Sequence, residues 1–297
     1  MEKIDRLGWA AGMAFTSYGV RIGIRVNNSE VMDSLPDLLP AHRRCARSPQ
    51  VERVYSLVIG GARPHSNVRR FNVLYANTAK IARTMDLEEV FKALESDLQL
   101  YVAENARRGL FVHAGVVGWR GSAIIIPGAS FTGKSTLVAA LVRAGATYYS
   151  DEYAIFDRRG LVHPYPKRLS IRTGGPAPPG RFWPEALGGG CTGVEPLRVG
   201  SVVVTRYRSG ARWRPRALSA GRGAIALLSH TVSVRGQPQL TLATLSRALS
   251  HAAVQKGVRG EAEEVVESLL NGGHVIEGTS ALQRVDRDRR SSPRCRA

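Results

Sequence analysis

One segment of the sequence, Gly128–Ser135, has the residue types and spacing of a loop that binds phosphate groups. It matches the pattern G-x-x-x-x-G-K-[ST] at every position and is called the glycine loop below. Its glycines let backbone N–H groups turn inward around phosphate oxygens, its lysine reaches the β and γ phosphates, and its last hydroxyl is a ligand for Mg²⁺. The loop therefore predicts binding of ATP, or another nucleoside triphosphate, with Mg²⁺. The residues predicted to bind the nucleotide are Gly128, Ala129, Ser130, Phe131, Thr132, Gly133, Lys134, Ser135 and Thr136.

Two consecutive acids, Asp151 and Glu152, follow the strand predicted just after the helix that the glycine loop opens. This position places them at the same sheet edge as the phosphates. One carboxylate there can hold Mg²⁺ or its water, and the other can accept a proton from an attacking hydroxyl. A solvated acidic turn is the alternative, but the position relative to the loop favours a site. Asp157 is a rival acid that is more typical of the first residue of a hairpin turn.

Four further residues could act on a transferring phosphoryl group. His113 lies in the strand predicted just before the strand that leads into the glycine loop, although a histidine in a strand is more often structural. Arg172 could neutralise charge on the phosphoryl group, and the alternative is one more surface arginine among 36. Lys167 and Arg168 are open to the same two interpretations.

The elements around the loop predict an α/β layer. Leu110–Pro127 is typical of two strands that form a hairpin. The segment after the glycine loop is typical of a helix that ends at Gly145, and Thr147–Ser150 is typical of another strand. A further hairpin turns at Arg158–Gly160, and a strand is predicted at Gly200–Tyr207. We expect this domain to span residues 109–275.

The flanking regions have a different texture. Residues 1–108 predict a small α+β region with a helix that begins at Asp86. Its predicted strands are Ser17–Asn27, Val51–Val58 and Phe71–Tyr75, and a short helix is predicted at Ser29–Leu35. The Gly- and Pro-rich stretch 173–193 predicts a long loop, and two more helices are expected near Leu242–Gln255 and Gly260–Leu270. The charged tail, 276–297, predicts disorder.

In order and spacing, these motifs resemble the catalytic core of the HPr kinase/phosphorylase family. That family shares its nucleotide-binding layer with the ATP-dependent phosphoenolpyruvate carboxykinases. The resemblance covers roughly Leu110–Thr173, about a fifth of the chain. The motifs that carry it are His113-Ala-Gly115, the glycine loop, Gly145, Ser150-Asp151-Glu152 and Ser170-Ile-Arg172.

The resemblance implies a role for each matching residue. Asp151 would be the base that accepts the proton of a serine hydroxyl, Glu152 would support Mg²⁺ together with Ser135, and Lys134 would hold the triphosphate. His113 would lie near the γ-phosphate and the base, and Arg172 would line the phosphate site. The sequence departs from the family twice: the spacing His-Ala-Gly is one residue longer, and Ser170 stands where the family has a glutamate that supports a metal. Kinases of this type also act on precursor peptides, so the phosphoacceptor stays open.

Composition limits the partners. The chain of 297 residues is 43% hydrophobic and carries a net charge of +18, from 42 basic and 24 acidic residues. It contains no apolar run of the roughly 20 residues that a membrane span needs, and its three cysteines lie far apart. We therefore expect a cytoplasmic protein without a disulfide framework. The charge fits arginine enrichment or an acidic partner better than a nucleic acid, because no motif that reads DNA or RNA is present.

Together these patterns predict an α/β P-loop fold of the HPr kinase type that transfers phosphate from Mg·ATP to a serine of a protein or peptide. A homo-oligomer is compatible with this prediction. Three alternatives stay open at this point: a non-catalytic ATP-binding regulatory module, a small-molecule kinase, and an ATPase linked to nucleic acid.

Overall fold

The structure is a computed structural model that describes residues 3–40, 42–48, 50–61, 70–129, 132–171, 180–188, 190–233 and 236–271. The chain is of the mixed α/β class and divides into two compact units, Met1–Arg108 and Gly109–Ala297. Among the helices in these ranges, none combines the length and the apolar character that crossing a bilayer requires.

The first unit is a six-stranded sheet with one long helix. Asp86 caps helix α1 (Leu87–Asn105) by accepting a hydrogen bond from the Glu88 N–H, and the helix packs on the last two strands of the sheet. Its buried face has helical spacing and includes Val90, Leu94 and Leu98. The strands, in the spatial order β3-β1-β2-β4-β5-β6, are β1 (Ala11–Ser17), β2 (Val20–Val26), β3 (Arg43–Cys45), β4 (Arg53–Val58), β5 (Asn72–Ala76) and β6 (Ala79–Thr84).

The predicted helix at Asp86 and the strands at 51–58 and 71–75 are confirmed with small changes in their ends. The single strand predicted at Ser17–Asn27 is wrong at its start. Tyr18 and Gly19, with φ of 48° and 86°, form a tight turn between β1 and β2. The predicted short helix is a 3-10 helix, Ser29–Ser34, and its N-cap is Asn28 rather than Ser29.

The second unit is built on an eight-stranded mixed sheet and a small hairpin. The spatial order of the sheet is β11-β10-β7-β8-β14-β16-β15, and β9 also pairs with β7. Strands β12 and β13 form the hairpin. The strands are β7 (Leu110–Trp119), β8 (Ser122–Pro127), β9 (Thr147–Ser150), β10 (Tyr153–Phe156), β11 (Val162–His163), β12 (Leu169–Ile171), β13 (Gly180–Phe182), β14 (Arg198–Tyr207), β15 (Arg216–Leu218) and β16 (Ala253–Arg259).

Helices cover the sheet from two sides. Helices α2 (Lys134–Arg143) and α5 (Glu263–Asn271) share one buried apolar cluster, and α3 (Ala220–Leu228) and α4 (Pro238–Ala248) share another. Helix α2 lies so close to β7 that a Cβ atom on Gly115 would be 2.5 Å from the Val138 side chain. A glycine in β7 is therefore what lets the helix that follows the glycine loop pack on the sheet.

The topology brings the ends of two strands together. Strand β7 pairs with β8 at Ala114↔Pro127 and with β9 at Val116↔Ser150. Because both neighbours run antiparallel to β7, β8 and β9 are parallel to each other, and both end beside the same stretch of β7. The glycine loop and the two acids follow these ends, so they meet at one edge of the sheet.

Part of the predicted C-terminal region is wrong. The segment predicted to be helical as far as Gln255 ends its helix at Ala248 and then forms β16, which pairs in parallel with β14. Helix α3, which the sequence patterns do not predict, lies over the same strands. The predicted hairpin at Arg158–Gly160 is confirmed. The predicted loop 173–193 falls partly outside the described residues, and the predicted tail, 276–297, lies wholly outside them.

Candidate active site

The glycine loop joins the end of β8 to the start of α2. Gly128 donates its N–H to the His113 carbonyl oxygen (3.2 Å), and Gly133 precedes the helix with φ of 81°, a left-handed conformation that favours glycine. The Thr132 hydroxyl and the Lys134 Nζ both donate to the Ala129 carbonyl oxygen, at 2.8 and 2.7 Å. Ser130 and Phe131 lie outside the described residues, and Thr136 is exposed in the first turn of α2.

Lys134 is partly buried against the two acids. Burial lowers its pKa, and the charges of Glu152 and Asp151 oppose that change. In this arrangement the ammonium group is bound to a backbone carbonyl of its own loop. A phosphate oxygen at the start of α2 would be a better partner, because a charge-assisted hydrogen bond is about twice as strong as one to a neutral acceptor.

The chain bends where the acids lie. The fully buried Ser150 hydroxyl accepts hydrogen bonds from the backbone N–H groups of Glu152 (3.1 Å) and Tyr153 (3.0 Å). This bend separates β9 from β10, although both strands pair with the same partner, β7. Interruptions of this kind re-aim side chains at functional sites. Asp151 and Glu152 consequently enter two different environments.

Asp151 belongs to a buried cluster with Ser135 and Tyr148. Its carboxylate accepts a hydrogen bond from the Ser135 Oγ at Oδ2 (2.8 Å) and from the Tyr148 hydroxyl at Oδ1 (3.1 Å). Only 4% of Asp151 is exposed. Burial raises its pKa, and the charge of Lys167 and the bond from Ser135 oppose the rise. The buried cluster therefore contains a carboxylate that is costly to keep ionised without a cation.

Glu152 belongs to an open cluster with His113 and Lys167. Its Oε2 accepts a hydrogen bond from the Lys167 Nζ at 3.0 Å, and its Oε1 lies 3.8 Å from the His113 Nδ1. About a third of the Glu152 side chain is exposed. Of the two acids, Glu152 is thus the one that a substrate hydroxyl can reach.

Two histidines flank the open cluster. The His113 ring stacks at a tilt on Tyr153, with 4.6 Å between the ring centroids. The backbone N–H of His113 donates a hydrogen bond to the His230 carbonyl oxygen at 2.8 Å. Burial lowers the pKa of both His113 and His230, and the nearby Lys134 lowers both further. Both imidazoles are therefore neutral at pH 7. His230, which lies just after α3, is a site residue that the sequence patterns do not single out.

Arg259, the last residue of β16, supports the glycine loop from below. Its guanidinium donates to the Gly133 carbonyl oxygen (2.9 Å) and to the Gly260 carbonyl oxygen (2.9 Å), and only 2% of the residue is exposed. It forms no ion pair with any described residue, and burial lowers its pKa. A buried cation is therefore hydrogen-bonded to Gly133, the residue just before α2. The sequence patterns did not single out Arg259, because they predicted a helix as far as Gln255 and so missed β16.

The other predicted site residues fall in different places. Arg172 lies outside the described residues, and Ser170 is an exposed residue of β12. Asp157 accepts hydrogen bonds from the N–H groups of Arg159 and Leu161 and contacts His163, so it is a turn residue, as the sequence predicted.

The residues present fit a magnesium ion. Mg²⁺ in phosphate-transfer sites is usually held by one or two protein oxygens and by the phosphates, and the adjacent Ser135 hydroxyl and Asp151 carboxylate offer such a pair. No group of three or more His, Cys, Asp or Glu side chains that could hold a metal without phosphates occurs among the described residues. Glu152, which the family resemblance implies would support the metal, contacts Lys167 and His113.

No protein-family model matches this chain, and no curated protein matches it significantly.

Proposed function

We propose that the second unit is a P-loop domain of the HPr kinase and phosphoenolpyruvate carboxykinase type, and that the chain is a kinase. It transfers the γ-phosphoryl group of Mg·ATP to a serine hydroxyl of a protein or peptide. The observation that carries the proposal is the 2.8 Å contact between Ser135 and Asp151, with a second, reachable carboxylate next to it. A loop that only bound phosphate would have no use for the second carboxylate.

In this proposal the start of α2 binds the triphosphate. The backbone N–H groups at the start of α2 and the positive end of that helix face the phosphate oxygens, and Lys134 turns from the Ala129 carbonyl to the β and γ phosphates. Arg259 keeps the Gly133 peptide in place, so these donors are oriented before the nucleotide arrives.

The two acids divide the remaining work. Ser135 and Asp151 would hold Mg²⁺, and the bound ion would supply positive charge against the phosphates. Glu152 accepts the proton of the serine hydroxyl. This assignment exchanges the roles that the family resemblance implies for Asp151 and Glu152. It rests on the burial of Asp151 between two hydroxyl donors and on the exposure of Glu152.

The chemical step balances within these groups. The serine oxygen forms a bond to the γ-phosphorus while the bond from the γ-phosphorus to the bridging oxygen breaks, and ADP leaves with that oxygen. The serine proton moves to Glu152. Lys167, 3.0 Å from that carboxylate, and Lys134 offset the negative charge of the phosphoryl group. His113, neutral and stacked on Tyr153, holds one side of the site open to the acceptor.

The test is phosphoryl transfer from ATP labelled in its γ-phosphate, with Mg²⁺ and pooled proteins and peptides of the source organism as acceptors. We expect labelled phosphoserine with the wild type and none with Lys134→Ala or Glu152→Gln. Asp157→Asn is the matched control, because it removes a carboxylate that bonds to the turn and to His163, and it should transfer phosphate like the wild type.

Two other outcomes would decide against parts of the proposal. Tight ATP binding without transfer by any of these proteins would favour the regulatory ATP-binding module. Label that accumulates only in small molecules would favour a small-molecule kinase.

A further inference from the structure

A second concave surface lies beside the candidate site, on the side of the sheet that α3 covers. It is a cleft of about 480 Å³, within the size range of ligand sites. Its floor is one row across three strands, in which Lys256 of β16 lies between Val204 of β14 and Arg216 of β15. Its wall is α3, which contributes Arg222 and Ile225.

The charge of the cleft is one-sided. Arg216, Arg222 and Lys256 line it and are exposed, and the side chain of none of them forms an ion pair or a hydrogen bond with another described residue. Among the described residues that line the cleft there is no aspartate or glutamate. Three positive charges in one concave surface repel one another, and a bound anion would relieve that repulsion. The cleft therefore favours an anionic ligand.

The cleft also has an apolar part. Ile225 is 65% exposed and lines the cleft together with the half-buried Leu218, which packs against the buried cluster under α3. A ligand that fits must therefore carry apolar and anionic groups together. The nucleoside half of ATP has no anionic group, and its phosphates belong to the glycine loop. The cations thus do not complement the nucleotide.

The cleft is connected to the open cluster through the backbone. His230 borders it, and the His230 carbonyl oxygen accepts the hydrogen bond from the His113 N–H. Thr231 then forms a bridge with Val112 of β7. A ligand in the cleft therefore lies next to the residues that would receive a serine.

We propose that this cleft binds an acidic segment of the polypeptide substrate, with an aliphatic side chain on Ile225 and Leu218 and carboxylates on Arg216, Arg222 and Lys256. This inference rests on the proposed function. An open cleft with exposed cations along its length suits an extended chain, whereas a small molecule is usually enclosed over most of its surface.

The experiment measures peptide affinity by fluorescence anisotropy with the full chain. The probe is a fluorescein-labelled peptide in which one serine and one leucine are flanked by glutamates, and a matched peptide carries glutamines instead. We expect the acidic peptide to bind at least tenfold more tightly, and its affinity to fall with added salt.

The variants locate that affinity. Arg222→Gln/Lys256→Gln should weaken the acidic peptide about tenfold and leave the affinity for Mg·ATP unchanged. Arg120→Gln/Arg198→Gln is the control, since it removes the same charge near the Trp119↔Ser122 end of β7 and β8, and it should bind the peptide like the wild type.

Three results would overturn the inference: no preference for the acidic peptide, equal loss in both double variants, or loss of ATP affinity in the cleft variant. Peptide affinity does not require transfer, so the two proposals fail separately. If the peptide preference stands but no phosphate is transferred, the proposed function is wrong and the cleft assignment holds.

Discussion

Asp151 and Glu152 are neighbours in the chain, yet their side chains lie in opposite surroundings. The buried cluster encloses Asp151 between the hydroxyls of Ser135 and Tyr148, whereas the open cluster leaves a third of Glu152 exposed beside Lys167 and His113. Both acids lie in the bend between β9 and β10, which the Ser150 hydroxyl holds through two backbone N–H groups. The difference teaches that a pair of acids in a sequence need not act as a pair.

The largest effect should come from the open cluster. Glu152→Gln keeps the size of the side chain but cannot accept the serine proton, so we expect phosphoryl transfer to fall about a thousandfold. The Mg²⁺ concentration that gives half-maximal rate should stay the same, because Glu152 does not contact Ser135. Steady-state kinetics at varied Mg²⁺ measures both quantities. A raised Mg²⁺ requirement in this variant would return Glu152 to the metal role that the sequence predicted.

The buried cluster should respond in the opposite way. Asp151→Asn removes the charge beside Ser135, so the Mg²⁺ requirement should rise about tenfold or more. Saturating Mg²⁺ should restore part of the rate. If Mg²⁺ restores nothing and the requirement is unchanged, Asp151 is the base and the comparison must be reversed.

Arg259 extends the comparison to the loop itself. Arg259→Met should weaken ATP binding about tenfold, because the Gly133 peptide loses the group that orients it, and pre-organisation contributes directly to affinity. The free energy of unfolding should change by only about 1 kcal/mol, since the cost of burying a cation is removed together with its hydrogen bonds. Calorimetric titration with ATP measures the first effect, and Arg198→Met is a control with an exposed cation. Unchanged ATP affinity would contradict the orienting role.

The same Asp151→Asn variant should be more stable than the wild type at pH 7, by about 1 kcal/mol. The pKa of Asp151 is raised in the folded chain, so its contribution to stability is present below its unfolded pKa of about 3.8 and is lost as the pH rises through the folded value. Asparagine can accept from Ser135 and donate to the Tyr148 oxygen, which frees that hydroxyl to bond only to the Lys167 carbonyl. Thermal melts at pH 7 and near pH 4 measure the gain, which should shrink at the lower pH. A loss of stability at pH 7 would show that the ionised carboxylate is well solvated inside the cluster.

The smallest effect should come from the two histidines beside the open cluster. Burial lowers their pKa values, so below pH about 6.5 the unfolded chain takes up protons that the folded chain does not. The free energy of unfolding therefore decreases as the pH is lowered. His113→Gln/His230→Gln should reduce this loss between pH 7 and 5 by about 1 kcal/mol or less, because both rings are partly solvated. His251→Gln, an exposed histidine, is the control. An undiminished loss of stability would assign the pH dependence to other groups.

Much of the site was predictable because it is local. The glycine loop, the strand before it and the acids after the next strand lie within 40 residues or so of one another, and their order alone predicts one sheet edge. Helix α3 was missed because its sequence, AGRGAIALL, contains two glycines, which disfavour helix. Strand β16 was missed because it pairs with β14, some 50 residues away, and a parallel partner at that distance leaves no periodic signal nearby. Because Arg259 and Lys256 belong to β16, the sequence patterns missed both the support of the glycine loop and the floor of the cleft.

The backbone of His113 connects the glycine loop with the border of the cleft. Its carbonyl oxygen accepts the hydrogen bond from Gly128 at the start of the glycine loop, and its N–H donates to His230 at the border of the cleft. Any movement of this strand on nucleotide binding is therefore shared by both regions. We expect heterotropic linkage as the consequence: occupancy by nucleotide changes the affinity for the acidic segment, and thermodynamic reciprocity requires the segment to change the affinity for nucleotide by the same factor.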